Sequence, residues 1–351
     1  MREEYFRNKI IWMSFLLSIL VIFTHAFNTR LFLEEEGTFG AAAFTETLIS
    51  EKIAQIAVPG FFMISSCLFF RNYDFKKTKR KWARRCTSVL IPYFLWNIIY
   101  YFGYVIASRI PVLTDIVGKG IVVFSLPAFF KAALEGTYNV VFWFVFQLIL
   151  LILLSPFLYI LVRNKAAGAV LCFCLLIPVA YRTDILYVNY DALFYYTFAA
   201  WLSVHFKEAL ERECLTEREK RKSLCAGFLL ILVSAVLYSV AELNRFADSY
   251  SDLFVVLSRT CGVGGLWVFL SGIRLPAAKS FMKNSFLVYA VHFALVRLIN
   301  KTADCFFHGS TSAALVLYFL MPAIILSVMN AVAAFDRKHT PILYRLLTGS
   351  R

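Results

Sequence analysis

From Ile10 to Phe27, and again from Val141 to Leu154, the chain runs without one Asp, Glu, Lys or Arg. Crossing about 30 Å of hydrocarbon takes about 20 mostly apolar residues in a helix. Inside lipid every backbone N–H and C=O must be satisfied within the protein, which leaves only helices and closed barrels. A barrel strand would alternate apolar and polar residues, and Val141 to Leu154 does not alternate. Comparable runs recur, and the sequence predicts spans over 10–28, 50–70, 87–108, 139–162, 167–181, 190–206, 224–241, 252–272, 284–300 and 312–335. Over all 351 residues, 60% are hydrophobic, where an ordinary soluble domain holds roughly 45–50% apolar residues. The fold class expected is therefore all-α, a polytopic transmembrane helix bundle of about ten spans forming a single domain over 1–351. The apolar stretch 118–134 carries Pro127 and Lys131 and is broken by Gly118 and Gly120, so it reads as an outer-face helix or a re-entrant piece.

The net charge of +14 could suggest a nucleic-acid partner, but the charges lie in short segments between apolar runs. With the amino terminus inside, 26 of the 36 Lys and Arg residues fall in the termini and in alternate loops on that side. Arg71 to Arg85 and Lys207 to Lys222 are the richest of these segments, whereas the loop after the first span carries Glu34, Glu35 and Glu36. This is the positive-inside pattern of a multi-pass plasma-membrane protein, with both termini cytoplasmic. The first run follows Arg2, Arg7 and Lys9 as in a signal peptide. It is long and has no A-x-A site after it, so it reads as an uncleaved first helix. Eight cysteines form no C-x-x-C pair, which predicts neither a disulfide framework nor a metal site.

An ionisable residue inside a span is expensive and therefore a functional candidate. His25, in VIFTHAFN, lies about fifteen residues into the first span, in its outer part. Imidazole exchanges protons near neutrality and can act as a general base; a His that merely bridges helices is the competing reading. His292, in LVYAVHFALVRL, has Arg297 five residues on. The two could line a polar cavity, or bridge helices while Arg297 reaches for the interface. Arg259 reads as a partner for Asp252. The basic stretch Lys76 to Arg85 fits attraction to anionic lipid, or a grip on a phosphorylated ligand. No P-loop, G-x-S-x-G, H-E-x-x-H or H-x-x-x-x-D pattern is present.

Five stretches, in order, resemble the acyltransferase-3 family of bacterial membrane proteins: SFLLSILVIFTHAFN, VPGFFMISSCLFF, RRCTSVLIPYFLWN, FWFVFQLILLILLSPFL and NSFLVYAVHF. The resemblance implies transfer of an acyl group, often acetyl, from cytoplasmic acyl-CoA to an envelope carbohydrate or a lipid-linked glycan. It implies His25 as the catalytic base, and Arg84 and Arg85 at the phosphates of acyl-CoA, the co-substrate, with no permanently bound cofactor. It also implies Asn28, Trp143, His292 and Arg297 at the acceptor. Two positions depart from the family pattern: Ser14 stands where an Arg is usual and Ser66 where a Gly is usual. The alternative is a transporter or exporter of an envelope polysaccharide or small molecule, without acyl transfer.

Overall fold

The computed structural model describes residues 2–34, 40–111, 113–114, 118, 120–185, 187–243 and 250–349. Glu35, Glu36 and Lys119 lie outside the described residues. Among those described, the regular structure is helical, with one isolated bridge between Ile185 and Val188. Among the described residues, eight helices are long and apolar enough to cross a membrane: Glu3–Leu33, Ala41–Phe70, Phe75–Ala107, Val140–Val162, Glu217–Leu243, Ser251–Ser271, Ser280–Phe307 and Thr311–His339. The two other predicted spans are also helical, but shorter, over Lys165–Ala180 and Tyr190–His205. Side-chain oxygens start the helices where the sequence leaves polar punctuation. Asn164 Oδ1 accepts from the Ala167 amide at 3.0 Å, and Ser310 Oγ from the Ala313 amide at 3.3 Å, each satisfying an otherwise orphaned first-turn donor.

Several boundaries move outward from the apolar runs. The first helix already begins at Arg2 and ends at Ala26. The second begins at Ala41, not at the apolar core near 50. The basic stretch is not a loop, because Thr78–Arg85 is helical and joins Ile91–Ala107 through a π-helical turn, Cys86–Leu90. Of the doubtful stretch 118–134, the second half forms a helix, Leu126–Glu135, closed by Gly136 at φ +65°.

The chain divides into two compact units. One comprises Met1–Leu20, Lys52–Lys81 and Leu150–Lys283. Within it Glu217–Leu243 packs on Ser251–Ser271 with small residues at the contact, and a Cβ at Gly227 would lie 2.5 Å from the Phe269 amide nitrogen. Such close approach is what holds helices together where lipid competes equally well for apolar side chains. Several charged groups in this unit are paired locally. Arg71 binds Glu211 at 2.7 Å and Glu3 at 2.5 Å. Lys9 is fully buried, donating to Ser271 Oγ with its ammonium 3.9 Å from the centre of the Trp267 ring. Arg259 does not pair with Asp252, as its position on the same helix suggested. Its guanidinium reaches Gln55 Oε1 at 3.3 Å, while Asp252 takes Arg182 and the Tyr190 hydroxyl.

The other unit comprises Val21–Glu51, Trp82–Ile149 and Asn284–Arg351. Buried aromatic side chains tie it internally. Trp96 Nε1 donates to the Leu347 carbonyl at 3.0 Å and the Tyr100 hydroxyl to the Ala290 carbonyl at 2.8 Å. His25, Asn28, Arg84, Arg85, Trp143, His292 and Arg297 all belong to this unit.

Candidate active site

The site is built on an interruption. The first helix stops at Ala26, and a short helix, Thr29–Leu33, begins two residues on. Stopping a helix frees carbonyls on one side and amides on the other, and in a membrane each must be satisfied by protein. Glu46 takes the amides. Buried in the second long helix, its carboxylate accepts from the Asn28 and Thr29 backbone nitrogens at 3.1 Å each and from the Thr29 hydroxyl at 2.7 Å. Asn300 takes the carbonyls, its Nδ2 donating to Ala26 O at 3.3 Å and Phe27 O at 3.5 Å. A π-helical turn, Leu48–Ile53, follows Glu46. From it Ser50 donates to the Phe23 carbonyl at 2.6 Å and meets the Tyr318 hydroxyl at 2.8 Å. Two side chains from distant helices thus hold open the turn that follows His25.

His25 lies half-buried one residue before the end of its helix. Its ring centroid is 5.3 Å from that of His292 and 5.1 Å from that of Phe293. His292 is fully buried, and its Nδ1 is 2.7 Å from the Tyr289 carbonyl oxygen. A carbonyl only accepts, so Nδ1 carries the proton and Nε2 a lone pair. Among the described residues that Nε2 has no hydrogen-bond partner. Tyr289 is itself anchored, its hydroxyl donating to the Val141 carbonyl and its ring 5.5 Å from Phe142.

The amide of Asn28 is oriented by similar logic. Asn300 gives its Nδ2 to two carbonyls, so it turns its Oδ1 toward Asn28, whose Nδ2 lies 3.5 Å away. Asn28 Oδ1 is left buried and unpartnered. Among the described residues nothing donates to His292 Nε2, next to His25, or to Asn28 Oδ1, next to Asn300.

Of the residues predicted from sequence, His25 and His292 meet here, Arg297 lies with its guanidinium 5.8 Å from the centre of the Phe293 ring, and Asn28 faces Asn300. Trp143 starts its helix two residues after Val141 and is 46% exposed. Arg84 and Arg85 lie elsewhere in the unit, at the end of the basic helix Thr78–Arg85. Glu46 and Asn300 were not anticipated. Among the described residues no three His, Cys, Asp or Glu side chains are grouped to hold a metal.

An acyltransferase-domain family model matches residues 7–332. The chain is 25% identical to the succinoglycan biosynthesis protein ExoH of Rhizobium meliloti (strain 1021), an alignment covering 98% of this chain and 92% of that protein. No solved structure matches it.

Proposed function

Because the chain belongs to the acyltransferase-3 family of integral membrane acyltransferases, we propose that it moves an acyl group, acetyl in the simplest case, from cytoplasmic acyl-CoA to a hydroxyl of an envelope carbohydrate. The family match selects group transfer over transport. The relative's part in succinoglycan biosynthesis points the acceptor toward carbohydrate. The observation that carries the reading is the pair of imidazoles 5.3 Å apart at the end of the first helix, one of which, His292, keeps a buried Nε2 that no described residue fills.

In the reaction proposed, His25 accepts the proton of the acceptor hydroxyl, which must come within about 3 Å of the ring nitrogen. The oxygen forms the new C–O bond at the thioester carbonyl carbon. The C–S bond breaks, and the departing thiolate recovers the proton from the His25 imidazolium. Asn28, His292, Arg297 and Trp143 hold the acceptor. Arg84 and Arg85 hold the CoA phosphates, for which a guanidinium offers two parallel hydrogen bonds. Ser14, in place of the family Arg, leaves the first helix without that cation.

The test is label transfer and release from radiolabelled acetyl-CoA by the protein in nanodiscs, wild type beside His25→Ala. General base catalysis contributes about 10²–10⁴-fold, and a loss of that size is expected. An unchanged rate in the variant removes His25 from the chemistry.

A further inference from the structure

The segment between the third and fourth predicted spans returns along the third. From residue 123 to residue 134 it runs back beside Ile91–Ala107, and its partners there step in order toward Arg85. The Tyr101 hydroxyl donates to the Val123 carbonyl at 3.1 Å, Asn97 Nδ2 to the Ala133 carbonyl at 3.3 Å and the Tyr93 hydroxyl to the Leu134 carbonyl at 2.8 Å. Gly136, at φ +65°, then reverses the chain, and the Asn139 backbone amide donates to the Gly136 carbonyl at 2.8 Å. Beyond this turn the Val141 carbonyl accepts from the Tyr289 hydroxyl, and the Tyr289 carbonyl in turn holds His292. The turn thus links the helix that follows Arg85 to the residue that supports His292.

Two buried side chains at this turn are unfinished. Asn97 and Asn139 are 1% and 2% exposed. A Cβ at Gly136 would lie 3.4 Å from Asn97 Oδ1, so the glycine brings the turn close against that oxygen. Among the described residues Asn97 Oδ1 has no partner, and Asn139 has none at either end of its side-chain amide. A carbonyl only accepts, so donation to Ala133 fixes which way the Asn97 amide points. A buried amide unbonded at both ends costs stability and joins no helices.

We propose that this turn seats the pantetheine arm of acyl-CoA, with Asn97 and Asn139 binding its two amides. The assignment rests on the transfer reading above and adds the stretch of the donor between the phosphates and the thioester. The open groups are two acceptors, Asn97 Oδ1 and Asn139 Oδ1, and one donor, Asn139 Nδ2. Pantetheine carries two amides separated by two methylenes. Its two N–H groups and two carbonyls complement all three open groups across one turn of backbone. The position agrees with this. Asn97 follows Arg85 by twelve residues of continuous helix, a rise of about 18 Å, so the amides are met after the phosphates and before the paired imidazoles. The Tyr93, Phe142 and Tyr289 rings, with centroids 6.2 and 5.5 Å apart in succession, offer the methylenes an apolar wall.

The experiment measures calorimetric binding of CoA, of pantetheine, and of adenosine 3′,5′-bisphosphate, which keeps phosphates and lacks the arm. Transfer from radiolabelled acetyl-CoA is followed in parallel. Asn139→Leu is expected to weaken CoA and pantetheine about tenfold and to leave the bisphosphate unchanged. Asn139→Gln, which keeps the amide, recovers part of the loss. The Asn139 side chain bonds no described residue, so the unfolding midpoint of Asn139→Leu should not fall. Asn97→Leu also gives up the Ala133 bond, and should show the same selectivity for the arm. Variants that weaken CoA and the bisphosphate alike, or that leave CoA binding untouched, overturn the assignment, as does a lowered midpoint in Asn139→Leu. Acetyl transfer that ignores Asn139→Leu keeps the transfer reading and removes the subsite. A wild type that transfers nothing yet binds pantetheine with the expected pattern keeps the subsite and removes the transfer reading. A wild type that binds neither CoA nor pantetheine refutes the subsite.

Discussion

Lys9 and His25 are carried by the same helix, one near its start and one near its end, and their surroundings are completed in different ways. Lys9 is wholly buried and provided for: its ammonium donates to Ser271 and faces the Trp267 ring. Around His25, Glu46 takes the Asn28 and Thr29 amides and Asn300 the Ala26 and Phe27 carbonyls at the helix break, yet among the described residues nothing donates to His292 Nε2 or to Asn28 Oδ1. A buried polar atom without a partner costs about 1–3 kcal/mol, so leaving two of them near one helix break is expensive. The contrast teaches how to read polarity inside a membrane bundle. Lys9 is a saturated polar group inside the bundle, and His292 and Asn28 are among the buried groups left unsaturated by the described residues.

That contrast can be broken at either end. The largest effect is expected from Glu46→Ala, which strands the Asn28 and Thr29 amides. Two orphaned buried donors cost about 3 kcal/mol or more, readable as a lowered unfolding midpoint in detergent, together with loss of transfer. Glu46→Gln keeps one acceptor oxygen and should recover part of both. A Glu46→Ala protein as stable as wild type would mean that the break does not depend on this carboxylate.

At the saturated end, Lys9→Met exchanges a buried cation for an apolar side chain of similar length. Such exchanges are often close to neutral. A stability change within about 1 kcal/mol, with transfer within about twofold of wild type, is expected. Collapse of transfer in folded Lys9→Met protein would place Lys9 among the working residues and end the distinction.

The smallest effect lies at the rim of the break. His308 Nδ1 is 2.9 Å from Asp304 and Nε2 is 3.8 Å from Glu34, while the Gly309 amide donates to the Phe32 carbonyl at 2.8 Å. The Asp304 carboxylate, foremost, raises the His308 pKa above the usual 6.5. A raised pKa means the protonated pair stabilises the fold fully below pH 6.5 and fades as pH climbs through the higher native value. His308→Ala should thus lower the unfolding midpoint slightly at pH 5.5 and not at all at pH 9. An equal effect at both pH values would show that the imidazole acts by packing instead of charge.

Much of this was legible in the residues. The apolar runs dictated helices, and His25 and His292 stood out as ionisable groups where none is cheap. What stayed hidden was completed across long stretches of sequence. Glu46 read as part of an outer loop, because its helix starts at Ala41, well ahead of the apolar core. Its role as a cap is played 17 and 18 residues away, beyond any local capping signature. Asn300 marked the expected end of a span that in fact continues to Phe307. Lys9 passed for one of the flanking cations that orient the first helix, and only its enclosure by Ser271 and Trp267 reveals it as internal. Arg259 found Gln55 instead of the acid one face-turn away, since Asp252 was already held by Arg182 and Tyr190.

The helix break also sets a timetable. Asn300 bonds to the Ala26 carbonyl across 274 residues of sequence and to Asn28 across 272. At a synthesis rate of roughly 5–20 residues per second, it leaves the ribosome on the order of tens of seconds after them. Until then the first helix lies in the bilayer with the Ala26 and Phe27 carbonyls lacking their Asn300 donor and the Asn28 amide unoriented. A nascent chain that has made most of its spans still lacks the side chain that completes the turn after His25, which one of the last helices to be inserted supplies.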